Sequence, residues 1–239
     1  AKKAMDIARE QVATALNAKP NEIFFTGSGT ESDNWAIKGI AYANKEKGKH
    51  IITSNIEHHA ILHTCEFLQK EGFDISYVPV DKEGIIDLNE LKKAIRPDTL
   101  LISVMLANNE IGTIQPIKEI SQIAKEHGIY LHTDAVQAIG SIPVDVEELG
   151  VDLLSLSGHK IYGPKGVGVL YVRSGTKISS FVHGGGQESG KRAGTENVAN
   201  IVGIGKAIEL ATKDISKYSA HLQELRDMTI EGILKEITS

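Results

Sequence analysis

The chain has a single cysteine, Cys65, in 239 residues. No internal disulfide can form, which fits a reducing compartment and sets the expectation of a cytoplasmic protein. No apolar run approaches the ~18 residues that a membrane-crossing helix requires. Basic residues are scattered and outnumbered, 26 Lys and Arg against 31 Asp and Glu for a net charge of −5. That distribution offers no basic patch for a nucleic-acid partner. Internal repeats and low-complexity tracts are also missing. So are the Gly-Lys-Ser/Thr of a Walker loop and the third glycine of a dinucleotide fingerprint.

What is present is an alternation of short apolar runs with helical stretches, the pattern of an α/β fold. The expected architecture is three layers, α/β/α, around a mainly parallel mixed sheet. At 41% hydrophobic and 24% charged, the chain can bury a sizeable core without division into two. Strands are predicted at Glu22 to Thr26, His50 to Thr53, Ile75 to Val78, Leu100 to Met105, Ile129 to Thr133 and Leu153 to Leu156. Helices are predicted near residues 30 to 46, 58 to 71, 87 to 95, 116 to 127 and 196 to 214, with a last one over Tyr218 to Ile237. Gly166 to Val172 follows the preceding loop too closely for a crossover helix, so it should pair antiparallel with a neighbour.

Three places carry chemistry. In Ser157-Gly158-His159-Lys160-Ile161-Tyr162-Gly163, an apolar strand delivers Lys160 to a tight, glycine-flanked loop. Lys160 is either a solvated loop lysine or a lysine held for chemistry. In His132-Thr133-Asp134-Ala135-Val136-Gln137 an apolar strand ends on Asp134, a costly place for a carboxylate without a partner. Asp134 is either a helix N-cap or that partnered acid. Pyridoxal phosphate asks for both residues at once, because it forms a Schiff base with a lysine and takes an Asp or Arg partner at its ring nitrogen. At about 4 Å and an effective dielectric of ~20, that charge pair is worth ~4 kcal/mol. In Phe25-Thr26-Gly27-Ser28-Gly29-Thr30-Glu31-Ser32 a strand passes through a glycine turn into a helix, whose first N–H groups would face an anion. Gly29 permits close approach, and Thr30 and Ser32 are predicted to add hydroxyls at N-cap positions.

Six segments together resemble the cysteine desulfurases, class V aminotransferase-like enzymes of pyridoxal-phosphate fold type I, in the branch that feeds iron–sulfur cluster assembly. They are Thr26 to Asn34, Glu57-His58, Asn108 to Gly112, His132 to Gln137, Ser157 to Lys160 and His183 to Gly186. The resemblance runs in order over almost the whole chain. It implies that Lys160 holds pyridoxal 5'-phosphate, that Asp134 pairs with the ring nitrogen, and that His58 stacks on the ring and relays protons. It further implies that Gln137 bonds the phenolic oxygen and that Asn109 lies beside that oxygen and the substrate carboxylate. Thr30, Ser157 and His159 would hold the phosphate. Thr195 would reach the phosphate of a neighbouring subunit, implying a homodimer. The implied substrate is L-cysteine, converted to L-alanine, and the implied partner is a sulfur acceptor or iron–sulfur scaffold protein.

The family's nucleophilic cysteine lies on a loop near the C-terminus, and no segment here matches it. Cys65, on a predicted helix, is expected to be a buried small hydrophobe. Residues 1–215 are therefore expected to be the cofactor-binding large domain without its first strand region, and 216–239 a helix leading toward a small domain outside this chain. The rival readings are a class V aminotransferase or selenocysteine lyase, and a catalytically silent fragment serving as a dimerisation scaffold. A zinc reading of His59 and His63 at i, i+4 spacing lacks a third ligand, and no metal site is expected.

Overall fold

The computed structural model describes residues 1–237. Seven strands form one sheet: β1 (Ile23–Thr26), β2 (His50–Ser54), β3 (Asp74–Val78), β4 (Thr99–Ser103), β5 (Tyr130–Asp134), β6 (Leu153–Ser157) and β7 (Gly168–Val172). Their spatial order is β1-β7-β6-β5-β4-β2-β3. The run β3-β2-β4-β5-β6 is parallel. As expected, β7 is antiparallel, and it pairs so with both β1 and β6. The helices are α1 (Lys2–Leu16), α2 (Gly29–Asn44), α3 (His59–Lys70), α4 (Leu88–Ala94), α5 (Ile117–Glu126), α6 (Val146–Leu149), α7 (Val198–Lys213) and α8 (Ile215–Glu236). Thr238 and Ser239, the last two residues of the expected 216–239 span, lie outside the described residues.

Strand alternation divides the core. Ile52, Ile102, Leu131, Leu154 and Val169 point to one face and pack with Val12 of α1, Ile120 of α5 and Ile204 of α7. Ile51, Leu101, Leu153 and Leu170 point to the other, against Trp35, Ile37 and Ile40 of α2 and Ile61 and Leu68 of α3. Burial of every residue of β2, β4 and β6 explains why these strands read as continuous rather than alternating runs. The sheet with helices on both faces is the three-layer α/β/α fold expected from the sequence.

Two local expectations are corrected. The strand predicted to Met105 parts from β2 after Ser103, because the Met105 N–H donates to the Glu57 carboxyl at 3.0 Å instead of to that strand, while the Val104 and Leu106 N–H groups still donate to the His132 and Asp134 carbonyls at 3.1 and 2.8 Å. Ser28, rather than Thr30 or Ser32, caps α2, accepting the Glu31 N–H at 3.1 Å. The first helical residue is Gly29, so Thr30 and Ser32 fall inside the first turn. The close turn also depends on β7, since a Cβ at Gly168 would stand 2.5 Å from the Ser28 backbone.

Candidate active site

The parallel strands end on one side of the sheet, where open α/β folds gather ligands. The loops after β1, β2, β4, β5 and β6 enclose a cavity of about 200 Å³. Gly29 and Thr30 line it from the start of α2, His58 from the start of α3, and Asn109 from the loop after β4. Asp134 and Gln137 come from the end of β5, and Ser157, His159 and Lys160 from the end of β6. Thr195 is elsewhere: it is exposed and borders a separate depression with Gly27, Gly166 and Arg192.

One end of the cavity suits an anion. The N–H groups of Gly29 and Thr30 open the 16-residue helix α2 and have no carbonyl four residues back to bond. Ser157 Oγ and His159 Nδ1 lie 2.8 Å apart on the opposite lip. Glu31 braces the turn, its Oε2 accepting the Gly27 N–H at 2.8 Å and its Oε1 the Arg192 Nε–H at 2.7 Å. A Cβ at Gly29 would meet Val136 Cγ2 at 2.9 Å and Ser157 Cβ at 3.3 Å. Gly29→Ala is therefore expected to cost about 1–3 kcal/mol of stability and to weaken phosphate binding at least ~10-fold, readable by urea denaturation and by titration with pyridoxal phosphate.

The other end is shaped by charge. Asp134 is buried, and desolvation raises its carboxyl to about 6 against the opposing pulls of the Val136 N–H and Lys160. Its Oδ1 accepts that N–H at 2.9 Å, the local turn a capping aspartate makes, so the cap-like reading holds for one oxygen. Among the described residues no hydrogen bond engages Oδ2. His58 caps α3, its Nδ1 accepting the Ala60 N–H at 3.1 Å. An accepting Nδ1 fixes the neutral tautomer with its proton on Nε2. Burial, then His59 and Lys160, hold the ring below the usual histidine range. Lys160 sits in the 3-10 turn Gly158–Ile161, which Tyr162 ends in the left-handed conformation at φ 61°.

Beneath the cavity lies a polar floor of which the sequence analysis singled out only Asp134 and Ser157. The strand positions facing α2 turn from apolar to polar toward their ends, giving Ser103 on β4, His132 and Asp134 on β5, and Ser155 and Ser157 on β6. His132 is fully buried between Ser103 Oγ at 2.9 Å from Nδ1 and Ser155 Oγ at 3.0 Å from Nε2. Desolvation holds its pKa down to about 3, so the ring is neutral. Asp33 reaches down from α2, and Glu57 binds Ser54 and the Met105 N–H. The available signal was polar and charged residues interrupting runs that burial otherwise fills with aliphatic side chains.

Glu57 makes the fold sensitive to pH. Burial raises its carboxyl from 4.5 to about 8. A raised carboxyl stabilises the fold while protonated, and that contribution is lost as pH rises from the unfolded value through the folded one. The unloaded chain is expected to lose on the order of 3–5 kcal/mol between about pH 5 and 9. Glu57→Gln is expected to flatten that slope in urea denaturation curves.

The histidine pair and the cysteine are quiet. The His59 and His63 rings stack at 5.0 Å, and the described residues contain no cluster of three or more potential metal ligands. Cys65 is fully buried against α2, and burial pushes its thiol up to about 12. No helix among the described residues is long and apolar enough to cross a membrane.

A polar mouth at the strand ends of this mixed sheet is the plan of the large domain of pyridoxal-phosphate enzymes of fold type I. A solved NifS-like protein superposes on the chain with a TM-score of 0.96 and 46% identity, over 98% of this chain and 65% of that one. A solved structure described as SspA in complex with cysteine gives a TM-score of 0.84 and 45% identity, over 93% of this chain and 66% of that one. The aminotransferase class-V family profile matches residues 1–238, and the chain belongs to that family. Among curated relatives, cysteine desulfurase IscS of Methanosarcina thermophila is 64% identical over 98% of this chain, and that of Clostridium botulinum (strain Hall) 62% identical over 97%. The chain spans 58% of the length of each.

The residues fit pyridoxal phosphate, the cofactor of this family. Gly29 leaves room for a phosphate where any Cβ would collide, Asp134 lines the cavity with an Oδ2 that takes no hydrogen bond among the described residues, and Lys160 borders the same cavity.

Proposed function

We propose that this chain is the cofactor-binding part of a cysteine desulfurase that converts L-cysteine to L-alanine and passes the sulfur to a thiolate as a persulfide, for iron–sulfur cluster assembly. The observation that carries the reading is the meeting of an anion cradle, a buried carboxylate and a lysine in one cavity. Relatives named as cysteine desulfurases at 64% and 62% identity favour it over the aminotransferase and lyase alternatives.

The shared lining of the cavity supports the roles that the family resemblance implies. Thr30, Ser157, His159 and the backbone at Gly29 hold the phosphate. Asp134 presents negative charge to the ring nitrogen, and Gln137 and Asn109 offer amides to the phenolic oxygen and the substrate carboxylate. Bound there, pyridoxal phosphate supplies an electron sink that makes the substrate Cα proton acidic. The Lys160 amine takes that proton. His58, neutral with its proton on Nε2, lines the cavity and would donate from that atom beside the bound ring. The substrate sulfur passes to an attacking thiolate as RS⁻ becomes RSS⁻, and the electron pair left behind is protonated to give alanine. Cys65, inaccessible and held as a thiol, does not serve, so the accepting thiolate lies outside these 239 residues.

Residues 1–215 form the cofactor-binding domain in this reading, and the helix beyond leads toward a further domain. Exposed Leu225, Met228, Ile233 and Leu234 on α8 support an apolar partner surface there. Exposure of Thr195 outside the cavity supports its service to a second copy in a homodimer. The partner that takes the sulfur is an acceptor or scaffold protein, and the setting is cytoplasmic.

The test is to load the chain with pyridoxal phosphate and follow its visible absorbance on adding L-cysteine. A cysteine-dependent spectral change without amino-group transfer from alanine to an oxo acid is expected. Transfer to the oxo acid with no response to cysteine would overturn the reading.

A further inference from the structure

Asp33 is the one carboxyl among the described residues with a buried oxygen that has no hydrogen-bond partner. Its side chain is buried, it borders the cavity, and among the described residues its Oδ1 has no hydrogen-bond partner. His132 Nε2 lies 3.7 Å from that oxygen, too far for a hydrogen bond, and both ring nitrogens are already engaged by Ser103 and Ser155. An ionised carboxylate left in this way, without a cation, would carry a large desolvation cost.

The groups facing it add no positive charge. From β5 come Asp134 and neutral His132, from the loop after β2 comes Glu57, and from β6 comes only the Ser155 hydroxyl. Lys160 acts on Asp134 and His58 across the cavity. Two carboxyls that share a dry site cannot both ionise near neutrality, and the proton goes to the one with poorer support. Asp134 has the Val136 N–H and Lys160, whereas Asp33 has neither.

We propose that Asp33 serves the site as a neutral carboxylic acid, a positioning residue that packs on Ser155 and His132 and leaves Asp134 as the one negative charge offered to a cationic ring nitrogen. Burial, Asp134 and Glu57 all push the Asp33 carboxyl upward, opposed by the Ser155 hydroxyl. The consequence for the cofactor rests on the role of Asp134 proposed above, while the protonation itself belongs to the chain alone.

The experiment is carbon-13 NMR of aspartate side-chain carboxyls in the chain without cofactor, with Asp33→Asn and Asp134→Asn giving the assignments. The Asp33 resonance is expected to keep the position of a protonated acid throughout the range in which Asp134 titrates near its raised value. Asp33→Asn, an uncharged isostere, is expected to leave the Asp134 midpoint within a few tenths of a unit and to keep the His132 ring signals. Asp33→Ala is expected to disturb those signals. Titration of Asp33 at or below Asp134, or a fall of a unit or more in the Asp134 midpoint in Asp33→Asn, would overturn the proposal. If Asp33→Ala does not fold, the Asn variant alone decides. Failure of pyridoxal phosphate to bind while Asp33 stays protonated would count against the functional reading and not against this one.

Discussion

Replacing Lys160 by alanine is expected to abolish the visible absorbance that appears when pyridoxal phosphate is added, and with it any cofactor trapped on the chain by borohydride. Lys160 is the lysine that borders the cavity next to Asp134 and His58. No side chain of similar chemistry shares that lining, so nothing substitutes for it. If the residue both anchors the cofactor and moves the Cα proton, turnover in the assembled enzyme should fall by at least ~10²–10⁴-fold, the usual worth of a positioned acid or base. The fold should survive, because the Lys160 side chain is exposed and contributes no core packing. A variant that keeps its band, with the borohydride adduct mapped to another lysine, would remove the central residue of the site.

Asp134→Asn should move affinity and stability in opposite directions. Loss of the carboxylate opposite a cationic ring nitrogen is expected to weaken cofactor binding by about 2–4 kcal/mol, on the order of 30- to 1000-fold. The unloaded chain should become more stable at neutral pH. The folded carboxyl is raised from 3.8 to about 6. The unfolded chain thus releases its proton first, and the wild type loses stability as pH rises through that window. At about pH 7 to 8 the whole penalty is present, roughly 2–3 kcal/mol, and the amide removes it. A site held at the expense of the fold's own stability is what function requires of a buried acid. Cofactor titration and urea denaturation at about pH 5 and 8 measure both arms, and a variant that loses stability at the higher pH would show that Asp134 is a structural cap and nothing more.

The parts of the site legible in the sequence were those placed by strand ends. Lys160, Asp134 and the Ser28 to Thr30 turn each follow an apolar run, and parallel strands carry such positions to one edge. His58 and Asn109 were assigned through resemblance, and the fold puts both on the same cavity. The cap of α2 was misplaced because Ser28, Thr30 and Ser32 are all good cap residues, and only the geometry of the turn against Gly168 selects the first. The end of β4 was misjudged because the competitor for the Met105 N–H, the Glu57 carboxyl, comes from 48 residues earlier in the chain.

The sequence by itself determined the layers, the antiparallel β7 and the residues at the strand ends, because alternation, run length and loop length are local properties that a chain carries wherever it lies. The tertiary structure alone decided how the buried charges live together. Asp33 on α2, Glu57 after β2, and His132 and Asp134 on β5 come from three separate stretches, and their protonation depends on distances and desolvation that exist only after α2 and α3 have closed over the sheet.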